Sequence, residues 1–213
     1  MPLLLDQLTE NGCRLLVWHV TETEETLEKF SLGRNFDSSS TISSIKLTER
    51  RKQKLVTCLL ADIITKKHCK ILYTVAGKPF IDDFPGHISV SHGGTFVGLI
   101  YHDVLAPGLD IEVPSERIRR ISDKFINDHE KSWLNEPTSL HELYLIWGVK
   151  ECLFKSYGGG GIIFKTHLSV NKPEGMASKG FGEASFLKNE MPEKHRYHYF
   201  YLEDALLVYT IAL

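Results

Sequence analysis

The stretch from Ser139 to Gly158 constrains the fold of this 213-residue chain more than any other. Ser139 followed by Glu142 is a capping box, in which each side chain satisfies an amide that the first helical turn leaves open. Leu143, Ile146, Leu153 and Phe154 recur at helical spacing and can face a core. Gly158 supplies the left-handed residue that ends such a helix. The spacing therefore predicts a helix over 139–157. Along it Trp147, Glu151 and Lys155 fall at i, i+4 and i+8, with Lys150 three residues after Trp147, so all four lie on or beside one stripe. Taken alone, Glu151 and Lys155 make a solvated pair worth a few tenths of a kcal/mol. A second acidic site upstream, at Asp110 and Glu112, gives the stripe another use.

A second helical seam runs from about Thr48 to Lys67 through Leu55, Val56, Leu59, Leu60, Ile63 and Ile64. Thr48 can cap its start, and Lys66, Lys67 and His68 suit its C-terminal dipole. The opposite face carries Arg50, Arg51, Lys52 and Lys54, which make either a solvated basic face or an anion site. Strands are expected over Cys13–Val20, from His87 into Gly93-Gly94, over Phe96–Tyr101, around Gly108–Val113, and over His167–Val170, Arg196–Leu202 and Ala205–Ala212. Thr21–Ser44 reads as a short helix and a loop. Ser115–Phe125 reads as a basic helix, Asp128-His129-Glu130 as the start of another, and Asn171–Glu193 as mostly loop. The four glycines from Gly158 to Gly161 follow a helix instead of opening one, so they do not form a P-loop.

Composition excludes several classes. Hydrophobic residues make up 42% of the chain, enough for a globular core. A formal charge of −2 gives no global attraction to nucleic acid. Four cysteines without a CxxC pair argue against a disulfide framework or zinc ribbon and for a reducing compartment. Neither a membrane-length apolar run nor a signal peptide is visible, so the expectation is a cytoplasmic protein without membrane contact.

Gly108-Leu109-Asp110-Ile111-Glu112 places Leu109 and Ile111 on one face of a strand. Asp110 and Glu112 share the other, about 7 Å apart. That face either meets solvent on an edge strand, or its repelling carboxylates hold a cation between them. Glu151 on the helix completes a small oxygen set suited to Mg²⁺. Gly77-Lys78-Pro79-Phe80 is a turn, with Lys78 either a turn residue or an anion ligand. Ser91, His92 and the amides that follow can bind an oxyanion. A Ser91/His92 nucleophile lacks an acid and an oxyanion hole, no HExxH or GxSxG occurs, and His195 and His198 read as structural residues of a tyrosine-rich strand.

In order and spacing these segments resemble the 4′-phosphopantetheinyl transferases. The similarity is to the longer, single-chain surfactin-synthetase-type group rather than the short trimeric acyl-carrier-protein synthases. Gly108–Glu112 and Trp147-x-x-Lys150-Glu151-x-x-x-Lys155 correspond to the two signature motifs. Gly77-Lys78-Pro79 and Ile88-Ser89-Val90-Ser91-His92 stand where that group has its GKP and Ser-x-Ser-His segments. Agreement runs from about residue 46 to 170.

The resemblance implies an α+β fold of two similar halves, 1–106 and 107–213, related by a pseudo-twofold axis. Each half packs a long helix on a small antiparallel sheet, with the active site in the cleft between them. It implies Mg²⁺-dependent transfer of phosphopantetheine from coenzyme A to a serine of an apo acyl or peptidyl carrier protein, releasing 3′,5′-ADP, by a monomeric enzyme. Carried over by position, Asp110, Glu112 and Glu151 hold Mg²⁺, and Lys155 offsets phosphate charge. Lys78, Ser91 and His92 bind coenzyme A. Lys150 binds phosphate or orients Glu151, and Glu130, five residues after Phe125, is the general base. Where the family has an arginine before the Leu-Leu of its first long helix, this chain has Thr57-Cys58, leaving that contact absent or taken by Arg50, Arg51 or Lys54. The Ser-His is followed by Gly-Gly rather than a bulkier polar residue. Carriers of this family are acidic, which nominates Arg117, Arg119, Arg120 and Lys124 as the docking face. A Mg²⁺-dependent hydrolase of coenzyme A or a related pyrophosphate, and a non-catalytic coenzyme A or carrier-binding module, are the alternatives.

Overall fold

The computed structural model describes residues 3–31, 45–176, 178–187 and 192–213. Its sheets are antiparallel. The first contains β1 (Leu3–Leu8), β2 (Arg14–His19), β5 (His87–Gly93) and β6 (Phe96–His102) in the order β1-β2-β6-β5. A small hairpin, β3 (Ile71–Tyr73) and β4 (Pro79–Ile81), lies between them in sequence. The second large sheet has β7 (Gly108–Glu112) at one edge. It continues through β12 (Ala205–Ala212), β11 (Glu193–Leu202) and β10 (Lys179–Phe186) to β8 (Leu168–Val170), with β9 (Glu174–Met176) beside β10.

Two helices of 18 residues each cover these sheets: α2 (Thr48–Thr65), which follows the short α1 (Glu24–Phe30), and α5 (Leu140–Tyr157). Leu55, Val56, Leu60 and Ile64 of α2 bury themselves against Leu16, Trp18, Val97 and Leu99 of the first sheet. Leu143, Ile146, Val149 and Leu153 of α5 pack on Tyr197, Leu206 and Val208 of the second. A third cluster joins the opposite faces of the two sheets, with Leu15, Val17, Phe96 and Ile100 meeting Leu109, Ile111, Leu207 and Ile211. Central strands such as β2 are thus covered on both faces, which is why they read as unbroken apolar runs. Each buried Leu or Ile is worth about 1.5–3 kcal/mol, so these clusters dominate the stability.

The third cluster decides where the acidic residues go. Leu109 and Ile111 turn into the sheet–sheet core, so the period-two alternation turns Asp110 and Glu112 toward α5 instead of solvent. Strand and helix approach closely: a Cβ at Gly108 would overlap the Cys152 carbonyl oxygen.

The caps of α5 are those read from the sequence. Ser139 and Glu142 form both capping-box hydrogen bonds, and Gly158 is left-handed at φ 65°. The start of α2 differs. Leu47 is its N-cap and makes no side-chain bond; Thr48 is already helical, and its hydroxyl accepts from Arg51. Lys66 is itself the left-handed cap at φ 57°, so the basic run lies beyond the last turn.

The 171–193 segment is a correction, since it contains β9 and all of β10. The inward positions of β10 include Gly182 and Ala184, and a side chain at Gly182 would overlap Tyr197. Small residues facing large rings leave little apolar alternation to read. The expected helix 115–125 is instead a 3₁₀ turn over Glu116–Arg120 followed by α3 (Ser122–Phe125), and α4 (Asp128–Lys131) comes next. His167 ends α6 (Phe164–His167), and β8 begins one residue later. Within Thr21–Ser44 the helix is α1, capped by Thr23, and residues 32–44 lie outside the described part. Among the described residues no helix is long and apolar enough to cross a membrane.

Candidate active site

β7 and the C-terminal turns of α5 bring Asp110, Glu112, Glu151 and Lys155 together. Lys155 Nζ donates to Asp110 Oδ1 at 2.8 Å and to the Leu109 carbonyl oxygen at 2.8 Å. Trp147 donates its indole N–H to Glu112 Oε1 at 3.3 Å, and its ring packs edge-on against Phe125 and beside Phe164. Gly148 lets the helix lie close on β12, because a Cβ there would crowd the Val208 side chain. Burial, then repulsion from Asp110, raises the Glu112 pKa. The same two causes, with Glu112 adding to them, push Glu151 up to about 7. Burial opposes the charge on Lys155, but Asp110 together with its other acidic neighbours, Glu151 among them, outweighs it and raises the pKa.

Three carboxylates around a single ammonium are short of positive charge. Asp110 Oδ2 is buried and has no hydrogen-bond partner among the described residues. An orphaned carboxylate oxygen beside two carboxylates with raised pKa is what oxygen-only donors for Mg²⁺ would present, so the residues fit that ion. As they stand, no three His, Cys, Asp or Glu side chains among the described residues are placed to hold a metal ion together, so the fit is one of donor chemistry.

Beside this cluster lies a groove of about 490 Å³ between α2, the β3–β4 hairpin, β5 and the end of α5. Arg50, Lys54, Lys78, His92 and Lys155 line it, together with Tyr73 and Phe154. Lys54 Nζ donates to the Tyr73 hydroxyl at 3.0 Å and sits 4.7 Å from the ring centre. Lys78 Nζ donates to the Ser156 carbonyl oxygen at 2.6 Å, and burial lowers its pKa. The His92 pKa falls through desolvation first and then through the charges of Lys155 and Arg50. Five basic side chains around one groove favour an anion carrying several charges. Lys54 is one of the basic run read as a possible anion site, whereas Tyr73, one of eight tyrosines, carries no signal in the sequence.

Other candidates are placed elsewhere. Arg51 does not line the groove: it forms a two-pronged ion pair with Glu24 and bonds the carbonyl oxygen of Ile45 at the groove's margin. Ser91 is buried with its hydroxyl engaged: it accepts from Ile111 N–H at 3.1 Å and Lys155 Nζ at 3.1 Å and donates to Asp110 Oδ1 at 3.2 Å. It braces the acidic cluster and has no donor left for a phosphate. The glycine after Ser91-His92 has a packing reason, because a Cβ at Gly93 would overlap the Ile111 carbonyl oxygen.

Lys150 and Glu130 need the largest correction. Both side chains are 0% exposed and paired at 2.7 Å. Lys150 also donates to the carbonyl oxygens of Phe125 at 2.5 Å and Phe164 at 3.2 Å. Glu130 accepts from the amides of Asn127 at 2.8 Å and Val170 at 3.0 Å. A base must come within hydrogen-bond reach of the proton it takes, and Glu130 is sealed inside the protein. Lys150 is likewise turned from both the basic groove and Glu151. His195 is buried and paired with Glu193, and His198 stacks on Tyr209, as structural residues do.

Residues 106–198 match the family model described as the 4′-phosphopantetheinyl transferase superfamily. The match covers 93 residues, less than half of the chain. The matched segment carries all three carboxylates and Lys155 of the acidic cluster, whereas Arg50, Lys54, Lys78 and His92 of the groove precede it. The 4′-phosphopantetheinyl transferase gsp of Aneurinibacillus migulanus is 33% identical over 89 residues. The alignment covers 39% of this chain and 36% of that transferase, so the chain spans about a third of the length of the curated relative it matches.

Proposed function

We propose that this protein transfers 4′-phosphopantetheine from coenzyme A to a serine hydroxyl of an apo acyl or peptidyl carrier protein, releasing 3′,5′-ADP. The observation that carries this reading is the meeting of the basic groove with the three-carboxylate cluster at Lys155. A polyphosphate ligand needs the first, and its reacting phosphate needs the second.

In the proposed step the serine oxygen bonds to the phosphorus that bears pantetheine. The bond from that phosphorus to the bridging oxygen breaks, and 3′,5′-ADP leaves with the electron pair. Such transition states are loose, so positioning and charge neutralisation matter more than a strong base. With Glu130 sealed away, the serine proton passes to solvent. Asp110, Glu112 and Glu151 would hold Mg²⁺, which supplies charge neutralisation on the pyrophosphate. Arg50, Lys54, Lys78 and His92 hold the phosphates, and Lys155 bridges groove and cluster. Arg50 and Lys54 thereby stand in for the family's first-helix arginine. Ser91 and Lys150 act behind the site instead of on the substrate.

The proposed halves are 1–106 and 107–213, related by a pseudo-twofold axis with the active site between them. The reading is supported by the two 18-residue helices, each packed on an antiparallel sheet. Arg117, Arg119, Arg120 and Lys124 are exposed and form the proposed dock for an acidic carrier.

Calorimetric titration with coenzyme A in metal-free buffer tests the groove. Lys54→Ala and Lys78→Ala should each weaken binding about tenfold, the loss expected for a charge-assisted hydrogen bond to phosphate. Arg51→Ala should leave affinity within about twofold, because that side chain serves Glu24. Equal losses in all three variants would contradict the assignment.

A further inference from the structure

β5 and β7 are edge strands of different sheets, and no backbone ladder joins them among the described residues. Two serine hydroxyls do so instead. Ser89 Oγ accepts the Leu109 N–H at 3.1 Å, and Ser91 Oγ accepts the Ile111 N–H at 3.1 Å. The matching two-residue intervals make these successive rungs on one face of β5. Both serines are buried, at 3% and 7% exposure, so each amide would otherwise lack a partner inside the protein.

The rungs differ in what else they touch. Ser91 bonds Asp110 and Lys155 directly, whereas Ser89 accepts from the Leu109 N–H and sits at the wall of the groove. The Leu109 carbonyl oxygen accepts from Lys155 Nζ at 2.8 Å. The residue before Asp110 is therefore gripped at its amide by the first sheet and at its carbonyl by α5. We infer that Ser89 is a positioning residue for the acidic site: it fixes the backbone at Leu109 and so sets the direction in which Asp110 presents its carboxylate to Glu151. This rests on the proposed role of Asp110, Glu112 and Glu151 as metal ligands. The lever is short. An amide released at Leu109 lets β7 shift against β5, and the Asp110 oxygens move with it while Glu151 stays on the helix.

The test is Mn²⁺ binding to the folded protein, followed by electron paramagnetic resonance without coenzyme A or carrier. Carboxylate sites for Mg²⁺ also take Mn²⁺. Ser89→Ala and the nearly isosteric Ser89→Cys, whose sulfur is a poor acceptor, should each weaken Mn²⁺ binding by roughly tenfold, the loss seen when support behind metal ligands is removed. A role in stability alone would lower the unfolding midpoint and leave the Mn²⁺ affinity of the folded fraction unchanged. If the parent protein binds Mn²⁺ and a folded Ser89 variant binds it equally well, the positioning role is overturned and the metal site stands. If the parent protein binds no Mn²⁺, both are overturned. Should Ser89→Ala not fold, Ser89→Cys gives the same reading.

Discussion

Replacing Glu130 with alanine should cost about 3–5 kcal/mol of stability, the penalty for leaving one member of a buried ion pair unpartnered. A domain is held by only about 5–15 kcal/mol, so the variant should be largely unfolded on mild heating. Lys150 would keep a buried ammonium with only the carbonyl oxygens of Phe125 and Phe164 around it. The amides of Asn127 and Val170 would lose their acceptor at the same time. Burial already lowers the Lys150 pKa against the pull of Glu130, and it raises that of Glu130 against the pull of Lys150. The charges are therefore expensive to keep apart. The double change Glu130→Leu with Lys150→Met should recover much of the loss, because well-packed apolar replacements can match a buried pair. Urea midpoints for both variants check this. A Glu130→Ala protein that unfolds like the parent but has lost turnover would return Glu130 to the role of base.

The second large effect is a pH-dependent stability that divalent metal removes. Glu151, pushed up to about 7, keeps its proton in the folded metal-free protein at pH values where the unfolded chain, near 4.5, has released it. Between those values the folded state binds more protons, so stability falls as pH rises from 4.5 toward 7. Glu112 is shifted in the same direction and adds to the slope. The Glu151 contribution is on the order of 2–3 kcal/mol. Urea midpoints in chelator should therefore fall over this interval, Glu151→Gln should flatten the fall, and Mg²⁺ should restore stability at the upper end by favouring the ionised carboxylates. Asp110→Asn and Glu151→Gln should lower metal-dependent turnover by about 10² or more, as removal of a group aimed at transition-state charge does. A parent protein whose pH profile ignores Mg²⁺ would contradict the metal assignment.

The two long helices were legible because their apolar seams, caps and stop signals agree. Asp110, Glu112, Glu151 and Lys155 were legible because strand and helix periodicity fix which side chains share a face. Direction in three dimensions was not. Lys150 is adjacent to Glu151 in sequence, yet a helix turns by about 100° per residue and sends it into the opposite wall. The resemblance makes Glu130 the general base on a short polar helix, and only the closure of Phe125, Phe164 and Val170 around it reveals a sealed pair. Ser91 looked like a phosphate donor because the sequence does not show the second sheet lying against it. β10 was missed because Gly182 and Ala184 earn their place by leaving room for rings on the next strand.

Intact-mass measurement of an apo carrier protein incubated with coenzyme A, Mg²⁺ and this protein tests the central claim most directly. The account predicts a gain of roughly 340 Da on the carrier serine, matched by release of 3′,5′-ADP, and no gain with Asp110→Asn over the same interval. Release of 3′,5′-ADP with an unmodified carrier would make the protein a hydrolase. Coenzyme A bound but left intact beside an unmodified carrier, across acyl and peptidyl carriers alike, would make it a binding module and contradict transfer.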